Sequence, residues 1–399
     1  PVPMDVFSWE GNKKMMMSPM DSIRYYKKYL QAGMMAYDPY SGFIKAWVGG
    51  IDFNHFKYDH VKQGRRQPGS AFKPIVYTAA IDGALNLSPC DTRTDKEIEL
   101  KWNENGVEKV YKPKNANGTF SNSEMTLRAA IARSVNSIAI QLISEMGAKK
   151  VVEYAKKLGI TSTLDPVVSL ALGSSDVSLY ELVAAYGVFL NEGLYREPIF
   201  VFKIEDSSGK LLYEFEPKTH EAIKPESAYL MQYMLRGNIE ESGGTGRRMY
   251  NYSELFKNGG QVAGKTGTTS NNSDAWYVGF TKDLVAGVWV GGDDRSIHFR
   301  GGLGEGSKSA LPIFGIFMNK VYQDKSLNYS PGPFPKPSMK IEKNYLGCFI
   351  MEVRDSTATD SLLNVQMIDS LQQYRNRFVD SGIVLQKLKK IKIDSLRKE

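Results

Sequence analysis

Strand-like runs sit at both ends of the first 325 or so residues, with helical runs between them. That order decides the fold class. Met34–Asp38 and Phe43–Val48 read as strands around the turn Pro39-Tyr40-Ser41-Gly42. From about 124 to 195 the pattern is helical, over Met125–Ala132, Ile138–Met146, Lys149–Leu158 and Ser178–Leu190. Strand signals then return. Phe200–Ile204 and Leu211–Phe215 flank Asp206-Ser207-Ser208-Gly209, a second hairpin. Gln261–Thr268, Ala275–Thr281 and Leu284–Val290 read as three successive strands, and Ala310–Val321 as a closing helix. Early and late strands must meet, which gives an α+β chain with an antiparallel β-sheet flanked by helices.

The flanks are weaker signals. The first 20 residues are Met-rich and irregular. Ser18-Pro19-Met20-Asp21 then predicts a helix start, with Ile23, Tyr26 and Leu30 as its apolar stripe and Gly33 as its stop. Ser330–Pro337 is a Pro-rich linker. Beyond it, Ser361–Val379 and Ile383–Leu396 look helical and amphipathic, and the basic end from Gln386 reads as a solvated charged tail.

Composition narrows the chemistry. Only Cys90 and Cys348 are present, which excludes a disulfide-built scaffold and a Cys-cluster zinc site but leaves one bridge open. The four histidines include no His-Glu-x-x-His pair, which argues against metal-hydrolase chemistry, and no metal or cofactor is expected. Net charge is +7, a mild excess that permits an anionic partner without selecting one. No run of about 18 apolar residues occurs. The chain starts at Pro1 without a signal pattern and reads as a segment of something longer, or as a processed product.

Without a usable His or Cys, a nucleophile needs another activator. A Ser with a neutral Lys one helical turn later is one solution, since a desolvated or crowded Lys can serve as base. Ser-x-x-Lys occurs at Ser70–Lys73, Ser207–Lys210 and Ser395–Lys398. Ser207 lies in a polar turn and Ser395 in the charged tail. Ser70 follows Gln67-Pro68-Gly69 and opens an apolar helix running to about Ile81, and Pro74 fits only a first turn. A plain N-cap role for Ser70 stays open. Ser134-Val135-Asn136 lies in a short loop between two helical stretches, where it either aims polar groups into a cleft or caps the next helix. Lys265-Thr266-Gly267-Thr268 occurs once, within a strand. A Gly there marks close approach of a ligand or backbone, unless this is simply an edge strand guarded by Lys.

Ser-x-x-Lys, Ser-x-Asn and Lys-Thr-Gly in that order resemble the serine penicillin-recognising enzymes. Arg65-Arg66-Gln67-Pro68-Gly69-Ser70-Ala71-Phe72-Lys73-Pro74 is similar to the nucleophile segment of class A penicillin-binding proteins. So is Lys265–Thr269 followed by Asp274-Ala275-Trp276-Tyr277-Val278-Gly279-Phe280. Met34–Gly50, Leu170–Gly193 and Gly301–Met318 extend the likeness over about residues 5–325. The resemblance implies a transpeptidase fold with an all-helical lobe. It implies an interdomain linker segment over 1–33, a transpeptidase domain over 34–329, and a linker and tail over 330–399.

It also implies roles. Ser70 attacks the penultimate D-alanine carbonyl of a peptidoglycan stem peptide, Lys73 takes its proton, and Ser134 relays a proton to the leaving D-alanine. Asn136 bonds the substrate amide, Lys265 adds positive potential, and Thr266, Gly267 and Thr268 line the carboxylate site. Ser70 and Thr268 N–H groups form an oxyanion hole. Expected partners are stem peptides ending in D-Ala-D-Ala and β-lactams, with no nucleic acid. The implied location is extracytoplasmic, with a membrane anchor and a glycosyltransferase domain expected in the full-length protein but not in this sequence. The intact triplet favours an enzyme over a non-catalytic β-lactam sensor, and the long class A-like flanks and the missing counterpart of the deacylating Glu-x-x-Leu-Asn segment of many β-lactamases favour transpeptidation over a carboxypeptidase or a β-lactamase.

Overall fold

The computed structural model describes residues 1–104 and 107–348. Its centre is a five-stranded antiparallel sheet in the order Ala263–Thr268, Asp274–Phe280, Val285–Gly291, Gln31–Tyr37, Ile44–Val48. The early hairpin and the late meander join where Val285–Gly291 pairs with Gln31–Tyr37. Side chains alternate across the sheet. Met35, Tyr37, Trp276, Val278 and Trp289 enter one core, while Met34, Ala36, Tyr277, Ala286 and Val288 enter the other.

The first core is shared with the helical lobe. Helix α6 (Leu179–Leu190) is buried along its whole length and lies against this sheet face. Its approach depends on Gly187, whose missing side chain leaves room for the Tyr37 hydroxyl. Ser178 and Glu181 cap it reciprocally. Helix α2 (Lys73–Ala79) is likewise buried at every residue, packed by α4 (Asn136–Met146), α5 (Ala148–Lys157) and α7 (Pro225–Glu240). Helix α8 (Ala310–Gln323) covers the opposite face through Leu311, Phe314 and Met318. No helix among the described residues is long and apolar enough to cross a membrane.

Three local expectations are corrected. The N-terminal stretch is a hairpin, Val2–Val6 with Lys13–Met17, held mainly by its backbone ladder because most of its side chains are exposed. Helix α1 (Pro19–Tyr26) buries none of its residues and ends before the expected stripe is complete. Gly33 does not end it. Gly33 lies inside the Gln31–Tyr37 strand, where a Cβ would come within 3.1 Å of His60. The sixteen-residue α7 is an element that the sequence reading lacked.

After Asn328 the chain runs extended. Phe334 is buried beside Phe280, and its N–H donates to Gln261 Oε1 at 2.9 Å. Lys343 donates to the carbonyls of Ile81 and Leu87, and Tyr345 packs edge-on against Tyr229 and Tyr233 of α7. A disulfide joins Cys348 to Cys90, closing 258 residues of sequence. The helices expected over 361–379 and 383–396 lie outside the described residues. Removing this cross-link frees the unfolded chain. Cys90→Ser should therefore lower stability by about 2–4 kcal/mol, read as a lower urea midpoint.

Candidate active site

Three segments distant in sequence meet beside the sheet edge. The approach to Ser70 is fixed from several sides. Arg65-Arg66 pairs with Val177-Ser178, Trp276 Nε1 donates to Gln67 O at 2.9 Å, and Gln67 Nε2 donates to Ser174 O at 2.8 Å. Gly69 takes φ +55°, and a Cβ there would stand 2.5 Å from Thr268 O. Ser70 thus sits in a tight 3-10 turn, Gly69–Phe72, that runs into α2, with Ala71 O held by the Tyr186 hydroxyl at 2.7 Å. Ser70 is half-buried, and its hydroxyl makes no hydrogen bond among the described residues.

Lys73, fully buried, points at the loop between α3 (Leu127–Ala132) and α4. Its Nζ donates to Ser134 O at 2.6 Å and Asn136 Oδ1 at 2.7 Å, and lies 3.3 Å from Ser134 Oγ. Ser134 adopts φ +61°, a left-handed conformation that costs a non-glycine residue energy. It brings both the carbonyl and the hydroxyl of one residue to bear on the lysines. Lys265, also fully buried, donates to Ser134 Oγ at 2.9 Å and Thr266 O at 3.1 Å. Gly267 lets its strand close on the Ser70 turn, since a Cβ would be 2.3 Å from Pro68 O. Thr268 Oγ1 accepts from Gly306 N–H at 3.0 Å. All eight residues singled out by the motifs therefore lie together, and Ser207 and Lys210 lie apart on an exposed turn.

Residues 32–314 match the family of the penicillin-binding protein transpeptidase domain, and residues 1–30 match the penicillin-binding protein middle domain. The chain belongs to the penicillin-binding protein transpeptidase family. It is 37 % identical over 297 residues to penicillin-binding protein 1A of Aquifex aeolicus, covering 73 % of this chain and 38 % of that relative. It is 37 % identical over 273 residues to penicillin-binding protein 2D of Bacillus subtilis, covering 67 % and 38 %. The chain thus spans little more than a third of those relatives' length. The crystal structure of penicillin-binding protein 1A from Haemophilus influenzae superposes with a TM-score of 0.69 at 28 % identity, covering 78 % of this chain and 49 % of that one. The antiparallel sheet with its helical lobe is the transpeptidase fold.

Several residues that hold this site in the transpeptidase-family chain were not singled out in the sequence. Asn115 Oδ1 accepts from the N–H groups of Asn136 and Ser137, capping α4 from outside. Its amide is turned that way by Asp95, a buried carboxylate that also accepts from Ser137 Oγ and Ser121 N–H. Lys114 O takes the Nδ2 of Asn136 at 2.7 Å, which leaves Oδ1 facing Lys73.

Neither buried lysine has a carboxylate partner among the described residues. Burial pushes Lys265 down to about 7, and burial followed by the Lys265 charge holds Lys73 well below its ordinary value. Between about 7 and the ordinary 10.5, the unfolded chain keeps a proton on Lys265 that the folded site has released. The unfolded state binds more protons there, so stability rises with pH. The urea midpoint should climb between about pH 7 and about pH 9, and most of that climb should vanish in the double variant Lys73→Met/Lys265→Met.

Proposed function

We propose that this domain is a serine D,D-transpeptidase that cross-links peptidoglycan stem peptides through an acyl-enzyme on Ser70. The observation that carries the reading is the donor arithmetic at Lys73. A neutral amine has two N–H groups and one lone pair. Two acceptor-only atoms, Ser134 O and Asn136 Oδ1, take the two N–H groups, and the Ser134 hydroxyl, which accepts from Lys265, stands off at 3.3 Å. The lone pair is left for a hydroxyl proton. Ser70, one helical turn before Lys73 and without a partner of its own, is the hydroxyl to be deprotonated.

Ser70 Oγ bonds to the carbonyl carbon of the penultimate D-alanine as its proton passes to Lys73. The N–H groups of Ser70 and Thr268 receive the oxyanion, a role supported by the close packing of Gly69 on Thr268. The bond to the terminal D-alanine breaks, and Ser134 protonates the leaving amine and is resupplied from Lys73. An amine from a second stem then attacks the acyl carbon, gives up a proton along the same path, and Ser70 leaves. Asn136 holds the substrate amide through its remaining amide N–H. Lys265 adds positive potential, and Thr266 and Thr268, with Gly267 between them, bind the terminal carboxylate. β-Lactams occupy the same site as donor mimics. The catalytic unit is residues 34–329, working on the extracytoplasmic side of the membrane.

Wild-type protein should form a long-lived covalent adduct with a fluorescent penicillin, and Ser70→Ala should abolish it. Labelling that survives the substitution refutes the nucleophile, and an adduct that hydrolyses within seconds makes the protein a β-lactamase. Incubation with glycan strands separates cross-linked dimers from the trimmed stems of a carboxypeptidase.

A further inference from the structure

Both threonine hydroxyls of the Lys265–Thr268 segment have fixed neighbours on the protein side. Thr268 Oγ1 accepts from the Gly306 N–H, so its own proton is free to point outward. Thr266 Oγ1 lies 2.6 Å from Thr245 Oγ1, and Asn238 Nδ2 donates to Thr245 Oγ1 at 2.7 Å. Asn238 is on α7 and is 1 % exposed. Its amide also donates to Ala132 O at 3.3 Å, while its Oδ1 is buried without a partner. Turning the amide over would set that oxygen against Ala132 O, so the donor side is fixed toward Thr245.

The loop carrying Thr245 is shaped to this contact. Thr245 N–H donates to Ala132 O at 3.1 Å, and Gly246 N–H donates to Asn238 O at 2.9 Å. At Gly246 a Cβ would be 2.1 Å from Asn238 Oδ1, and at Gly244 one would be 2.4 Å from Asn238 O. The loop docks against Asn238 because it has no side chains there.

A hydroxyl has one proton and two lone pairs. Thr245 receives the Asn238 N–H and can hand its own proton to Thr266. Lys265 Nζ lies 3.5 Å from the same Thr266 oxygen. A Thr266 hydroxyl that accepts from Thr245 keeps its own proton for a ligand. In the reverse order Thr266 would donate to Thr245 and turn a lone pair toward the cleft, which an anion would meet with repulsion. Chains of this kind strengthen as each member polarises the next.

We infer that Asn238 and Thr245 are positioning residues that make Thr266 a hydroxyl donor, so that the site selects an anionic carboxylate over a neutral ester at that position. The inference rests on the assignment of the ligand carboxylate to Thr266 and Thr268. Neither positioning residue touches the ligand. Each acts through Thr266.

The test compares acylation rates of the purified domain with benzylpenicillin and with its methyl ester, which has the same ring but no carboxylate. Wild type should favour the acid. Thr245→Val keeps the shape and removes the hydroxyl. It should slow acylation by the acid about tenfold, the usual scale for a weakened bond to a charged group, and leave the ester rate near wild type, while the thermal midpoint falls because an Asn238 N–H is left buried without its acceptor. Thr245→Ser should restore the acid rate. Equal loss for acid and ester marks a structural role and overturns the inference, as does an acid rate that does not fall. A wild type that fails to prefer the acid removes the carboxylate assignment, and the inference with it.

Discussion

Among the described residues, two amines are buried around one serine without an acid to balance them, and the rest of the molecule is arranged to make that tolerable. An isolated ammonium in an apolar interior is expensive, and the usual escape is loss of the proton. Here burial pushes both lysines in that direction. Ser134 supplies a carbonyl for Lys73 and a hydroxyl between both lysines, and it does so from a left-handed backbone. The strain is held by what surrounds it: α3 and α4 on either side, and the Asp95–Asn115 cap that grips the start of α4.

The helical lobe and the sheet divide the labour. The lobe carries Ser70, Lys73, Ser134 and Asn136, and the sheet edge carries Lys265–Thr268. Neither part is a site alone. Their relative placement depends on α6, whose entire surface is consumed in packing and which binds the Ser70 turn through Tyr186 while lying on the sheet. Distant core residues such as Tyr37 and Gly187 therefore bear on geometry at Ser70.

How much of this was legible follows from range. Ser70–Lys73 and Ser134–Asn136 could be read because the partners lie within one turn of each other, where spacing alone fixes proximity. The central strands could be read because one face differs from the other. The N-terminal hairpin has no such contrast, since both of its faces are exposed, and its methionines are not strand formers. Helix α7 is buried on most sides and includes Gly237 and Asn238, so its apolar periodicity is blunt. Asp95, Asn115 and Thr245 act across separations of about 20 residues or more with no fixed spacing, and nothing local marks them. The two cysteines left a bridge open, and only the path of the chain after Asn328 brings them together.

One feature of the cleft bears on how it can change. Gly173 lies against Gly69, Gly69 against Thr268, and Gly267 against Pro68 on one side and Gly306 on the other, with main chain meeting main chain throughout. This seam of the wall is mostly backbone and offers few side chains to trim or swap. Each of these four glycines would drive a Cβ into a carbonyl at 2.5 Å or less. Along this seam an added side chain has nowhere to go, so a change in what the cleft admits has to be made at the residues around it.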